Sequence, residues 1–358
     1  MEKELLTFVK SFVSILYEAM PFIVLGAVIA GILEELVPQR IIAKLIPRNR
    51  ILAIAIGGFL GIIFPMCECG IIPVMRRLLR KGVPLSCCVC YMLGGPILNV
   101  VVMLSTFVAF SGTDTGTAAA QQTRAAAVPA EQGTLTTTST TTAPPPQFSA
   151  AEMMGLRMGL GFLVAFGTSL IVEWQHRKHG NKLLAPMAVA DTKLSESRAA
   201  EEENGAAETV SRSWFERLGN IAETALHDFV DITVYLIIGA VLASGARLVM
   251  PHDEMQKWAL GYPGLAILIM MGAAIALCIC SEADAFIAAS FRALPPAPKL
   301  AFLVLGPMLD FKLFLMYTRV FRQRLIWTII ASVVVQVLLY SLLVHFVWEH
   351  YWLAGTAS

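Results

Sequence analysis

Apolar residues in this chain gather into long unbroken runs rather than alternating with polar ones. Eight stretches, 8–33, 51–75, 85–110, 152–172, 226–250, 263–291, 299–318 and 325–348, match or approach the roughly 20 residues that a helix needs to cross the bilayer core. A transmembrane barrel would show short alternating strands instead. The pattern predicts an all-α polytopic membrane protein with about eight transmembrane helices.

Composition agrees with that reading. Hydrophobic residues make up 56% of the 358 positions and charged residues 15%, where a soluble protein carries about a quarter charged. The net charge of +1 leaves no electrostatic footprint of nucleic acid. Glu2, Glu4 and Glu18 and the lack of an A-x-A-like cleavage site make the first run a retained span, not a signal peptide.

Two segments depart from the apolar pattern. Residues 111–150 contain TLTTTSTTTAPPP, and residues 173–216 contain HRKHGNK and SESRAAEEENG; both compositions predict disordered linkers. The expected organisation is therefore a first membrane repeat in 1–110, completed by a fourth span at 151–172. A second repeat follows at 217–350, with a tail at 351–358. With the N-terminus in the cytoplasm, the inside segments hold 15 Lys and Arg against 9 outside. That excess predicts an inner-membrane protein with both termini cytoplasmic.

The repeat is read from spacing. YEAMPFIVLGAVIAG at 17–31 lies on VDITVYLIIGAVLAS at 230–244 without a gap. The same offset carries Glu18 onto Asp231, Gly26 onto Gly239, Pro38 onto Pro251 and Cys67 onto Cys280. Shifted by two residues, Gly95-Pro96-Ile97-Leu98-Asn99 meets Gly306-Pro307-Met308-Leu309-Asp310. Four spans per copy make the repeats parallel, and a re-entrant segment would make them inverted.

Each copy holds the ingredients of broken helices. Pro65, Gly70 and Pro73 surround Cys67-Glu68-Cys69, and Gly95-Pro96 precedes Asn99. In the second copy Cys280, Glu282 and Asp284 stand at the first break, and Gly306-Pro307 leads to Asp310. Proline removes a backbone donor, and freed backbone groups survive in a membrane only where protein or a water-filled cavity satisfies them. The breaks thus predict an internal substrate site built from Cys67, Glu68, Cys69, Asn99, Cys280, Glu282, Asp284 and Asp310. Each of those charges costs about 2.5–3.5 kcal/mol to insert. Glu18 and Asp231 are read either as carboxyls locking helices together or as coupling groups.

Cysteine is often only a small hydrophobe in an apolar helix, and Cys87, Cys88, Cys90 and Cys278 are read that way. Cys67 and Cys69 sit beside an acid in a break, where thiolates select copper(I), zinc or trivalent arsenic species. No cofactor is implied. Neither a phosphate-binding G-x-x-x-x-G-K-[ST] motif nor an HExxH or GxSxG hydrolase motif is present.

The stretches CECGIIPVMRRLLRKGVPL with GGPILNVVV, and CSEADAFIAASF with FLVLGPMLDFKLFLM, resemble the bacterial predicted permease family. That family includes the YraQ-type proteins and the ArsP organoarsenical efflux permeases. The resemblance covers roughly residues 8–110 and 217–322. Cys67, Cys69, Gly70 and Pro73 match a Cys-Ser-Cys-Gly then Pro motif, with Glu68 in the serine position. It implies a non-enzymatic permease, a secondary-active exporter of a small solute such as a trivalent organoarsenical or soft metal ion. Its partners are then the lipid bilayer and that solute, with a homo-oligomer also compatible. A membrane thiol oxidoreductase using Cys87-x-x-Cys90 or Cys67-x-Cys69, or a subunit of a larger membrane complex, are the alternatives.

Overall fold

Four of the eight apolar runs fold as single long helices. These are α1 (Glu2–Leu36), α6 (Ala150–His179), α7 (Trp214–Val249) and α12 (Gln323–Thr356). Each is long and apolar enough to cross a membrane. The computed structural model describes residues 2–36, 47, 49–64, 66–111, 148–179, 214–249, 263–291 and 294–356. Pro38, Pro65, Pro251 and most of the two polar segments lie outside the described residues.

The other four runs each fold as two short helices. The pairs are α2 (Arg50–Ile63) with α3 (Glu68–Arg80), and α4 (Leu85–Gly94) with α5 (Val100–Ser111). In the second half they are α8 (Pro263–Leu277) with α9 (Asp284–Ser290), and α10 (Pro296–Leu305) with α11 (Phe311–Val320). At about 1.5 Å per residue none of these pieces reaches the roughly 30 Å of a hydrocarbon core. The order long, broken, broken, long therefore occurs twice. The described residues are helical apart from turns and short connections.

Local chemistry sets where the helices stop. Gly95 and Gly306 cap α4 and α10, and the proline that follows each cannot donate to the preceding turn. The chain restarts where a short polar side chain replaces a missing backbone acceptor. Asn99 Oδ1 accepts from Val101 N at 2.9 Å, and Asp310 Oδ1 from Leu313 N at 2.7 Å. Helix α2 ends at Ile63 and α3 begins at Glu68, so Gly70 and Pro73, expected to break the helix, lie inside α3. After α8, Cys278 takes a left-handed φ of 46°, a strained conformation for a side-chain-bearing residue.

Packing puts two broken-run helices at the centre. All ten residues of α4 and all ten of α10 are buried. Helices α2 and α6 flank α4, while α8 and α12 flank α10. The halves meet through α1 against α7 and α6 against α12. At the second contact Gln336 Nε2 donates to Thr168 Oγ1 at 3.0 Å and to Ser332 Oγ at 2.7 Å. The long helices turn side chains such as Leu25, Leu242 and Leu339 outward, as lipid-facing surfaces do.

Glycine lets the long helices approach the breaks. A Cβ on Gly26 of α1 would sit 2.5 Å from the Gly70 carbonyl oxygen of α3. One on Gly239 of α7 would sit 2.6 Å from Lys312 Cβ and 2.8 Å from its Cα in α11. Backbone and Cβ atoms cannot swing aside, so a methyl at either glycine overpacks the contact at a cost of about 1–3 kcal/mol. Gly26→Ala and Gly239→Ala should each lower the unfolding temperature in detergent. Gly159→Ala, at a position with open space around it, should leave it unchanged.

Candidate functional site

Glu68 opens α3 immediately after the first break and is 1% exposed. An ionised carboxyl there needs compensation, and it comes from the other half of the chain. Lys312 of α11, fully buried, donates from Nζ to Glu68 Oε1 at 3.0 Å. The same ammonium lies 3.5 Å from Asp310 Oδ2 and donates to Cys280 Sγ at 3.7 Å. Ser281 Oγ donates to the second Glu68 oxygen at 3.3 Å and lies 3.4 Å from Glu282 Oε2. Helix N-termini carry partial positive charge, which further favours Glu68 at the start of α3 and Asp310 at the start of α11.

A second buried pair adjoins the first. Arg157 of α6, 1% exposed, donates from Nη2 to Asp284 Oδ2 at 2.8 Å and to the Ser281 carbonyl at 3.1 Å. Its Nη1 donates to Thr106 Oγ1 of α5 at 2.7 Å. Asp284 Oδ1 has no hydrogen-bond partner among the described residues, and Asp284 stands within electrostatic reach of Glu68 and Glu282. Asp284 also approaches the second Gly-Pro break, 3.9 Å from where a Gly306 Cβ would be. The arrangement joins both breaks of the second half to α3 and α6 of the first.

Of the residues singled out in sequence, Cys67, Glu68, Cys69, Cys280, Glu282, Asp284 and Asp310 come together here. Cys67 and Cys69 are within electrostatic reach of each other, and Cys69 is also within reach of Lys312. Among the described residues no three His, Cys, Asp or Glu side chains are grouped to hold a metal ion. Asn99 is buried and spends its side-chain oxygen on the α5 cap. Gly95, Pro96, Gly306 and Pro307 shape the breaks, and Gly70 serves the approach of α1.

The matched acids Glu18 and Asp231 meet different surroundings. Glu18, half-buried on α1, is within electrostatic reach of Cys280 and Glu282. Asp231 on α7 is 3.5 Å from Arg76 Nη1, with its side chain 31% exposed. One turn earlier Asp228 accepts from Arg77 at 2.8 Å and 3.3 Å. These two pairs tie α3 to α7.

Arg157 escaped the sequence reading, although a lone arginine inside the run EMMGLRMGLGF is a signal of intramembrane function. Lys312 stands two residues from Asp310 in an apolar stretch of the sequence, but nothing local identifies its partner. Residues 244 apart share no local pattern that pairs them.

Known proteins extend this picture. A family described as predicted permease matches residues 4–128 and 147–346. The UPF0718 protein YcgR of Bacillus subtilis (strain 168) is 34% identical over 335 residues, 93% of this chain and 95% of that protein. A Streptococcus mutans protein bearing the name "Putative two-component membrane permease complex subunit" is 30% identical over 338 residues, 93% of each chain. A UPF0718 protein of Methanocaldococcus jannaschii is 23% identical over 104 residues, 29% of this chain and 28% of its own. No solved structure matches.

Removing one member of a buried ion pair leaves the other uncompensated, at a cost of about 3–5 kcal/mol. Arg157→Met should therefore strongly destabilise the protein in detergent unfolding. The double variant Arg157→Met/Asp284→Asn should recover most of that loss.

Proposed function

This chain belongs to the predicted permease family, and from that premise we propose that it is a secondary-active exporter whose cargo passes through the Glu68–Lys312 cluster. The observation that carries the proposal is the concentration of Glu68, Glu282, Asp284, Asp310, Lys312 and Arg157 where helices are broken. Such groups are expensive inside a multi-pass membrane protein and mark substrate or ion pathways. Transporter sites are built from discontinuous helices at the interface between internal repeats.

The repeat itself is part of the proposal. Glu68 and Ser281 are 213 residues apart, the offset that aligns the two halves, and their side chains touch. Contact between equivalent positions is what a pseudo-two-fold axis through the site would produce. Residues 1–172 and 217–350 are then the two copies, joined by a polar linker. The basic bias of the loops supports insertion in the inner membrane with both termini in the cytoplasm.

The cargo proposed is a small soft species, a trivalent organoarsenical or a soft metal ion, because Cys67, Cys69 and Cys280 accompany the acids. Glu18, facing the cluster, and Asp231, acting through Arg76, are the proposed coupling carboxyls. A second reading, one subunit of a larger permease complex, is favoured by the name of the Streptococcus mutans relative.

Everted membrane vesicles energised with a proton gradient test the proposal. Vesicles with the wild-type chain should take up methylarsenite, copper(I) or zinc faster than vesicles without it. Glu68→Gln should cut that uptake at least tenfold. Equal uptake with and without the protein across the panel, or wild-type rates in Glu68→Gln, would overturn it.

A further inference from the structure

The ammonium of Lys312 occupies the point on which the acids and thiols of the site converge. Glu68 Oε1 lies 3.0 Å from Nζ, Asp310 Oδ2 3.5 Å and Cys280 Sγ 3.7 Å. These donors come from α3, from the start of α11 and from the break between α8 and α9. Carboxylate oxygen and cysteine sulfur around one positive charge are the ligands of a soft divalent cation, the thiol releasing its proton as the metal binds. A lysine is a compact charge on a flexible four-carbon stem, so the charge can leave while its backbone stays in place. Gly239 fixes that backbone by packing directly against Lys312 Cα and Cβ.

We propose that Lys312 is a built-in substitute for a cationic cargo. Its ammonium compensates the cluster in the empty permease, and a soft divalent cation takes its place on loading. This inference rests on reading the cluster as the transport site, and adds the cargo's charge and the means of its release. Two further features fit it. Asp310 Oδ2, in a residue 1% exposed, faces the ammonium without a hydrogen bond, and buried Asp284 Oδ1 also lacks one among the described residues.

Spacing explains why the same residues form no metal-ready group in this state. Metal–oxygen and metal–sulfur bonds are about 2.0–2.3 Å long, whereas an ammonium holds its neighbours 3.0–3.7 Å away. Exchange of ammonium for metal therefore contracts the cluster by about 1 Å per ligand. Glu68 belongs to the first half and Cys280 and Asp310 to the second, so contraction draws the halves together. Return of the ammonium expels the ion and relaxes them. Occupancy and closure are linked without any titration of the lysine.

Cadmium binding to purified full-length protein, followed by titration calorimetry, tests the proposal. Lys312→Met, which removes the competitor, should bind cadmium at least tenfold more tightly than wild type and should transport it more slowly. Lys312→Arg, which keeps a positive charge, should bind no better than wild type. Lys312→Gln, whose amide still donates to Glu68, should show the same gain and serves if Lys312→Met does not fold. Folded Lys312→Met or Lys312→Gln protein that binds cadmium no more tightly than wild type would overturn the inference. If Glu68→Gln still abolished vesicle uptake, that failure would strike the role of Lys312 alone. Wild-type uptake by Glu68→Gln would strike the transport site itself.

Discussion

A carboxylate carried into the bilayer interior is tolerated only with a counter-charge, and Glu68 finds its own on the other half of the molecule. The 3.0 Å contact with Lys312 joins α3 to α11, and the Arg157–Asp284 pair joins α6 to the start of α9. Two further pairs, Arg77–Asp228 and Arg76–Asp231, run from α3 to α7. All four bridge the two halves. The apolar surfaces of α1, α7, α6 and α12 have less to decide, because lipid competes with each apolar contact on nearly equal terms. Specific charge pairs and close glycine contacts therefore carry the register of the assembly.

Broken helices make this charge placement feasible. A continuous helix offers no free backbone groups to a buried acid. A helix that starts in mid-chain offers unpaired N–H groups and a partial positive charge. Asp310 uses that opening directly as the cap of α11, and Glu68 lies in the first turn of α3. The two halves share the scaffold of breaks but divide the charge between them. Ser281 stands where Glu68 stands in the first half, and Val101 stands opposite Lys312. Neither Glu68 nor Lys312 has a charged residue at the position aligned with it in the other half. The central interaction thus depends on residues from both halves.

Much of the fold was legible along the chain. Long apolar runs marked the four helices long enough to cross a membrane, and Gly-Pro pairs at 95–96 and 306–307 marked two of the places where helices stop. Of the residues that suggested the first break, Gly70 and Pro73 are accommodated within α3. Gly70 there serves the approach of α1, which no local pattern reveals. The acids and thiols near the breaks were visible as unusual residues in apolar surroundings. Their partners were not, since spacing along a helix predicts neighbours three or four residues apart and these pairs span 127 and 244 residues. Glu18 and Asp231 show the converse. They match in sequence, yet Glu18 is within electrostatic reach of the cluster and Asp231 meets Arg76.

The Glu68–Lys312 pair is tested most directly by a double-mutant cycle on unfolding of the purified protein in detergent. The variants are Glu68→Gln, Lys312→Met and their combination. A buried pair across the two halves predicts a coupling of at least about 2 kcal/mol, with the double variant more stable than either single one. Additive losses, with coupling near zero, would contradict the account.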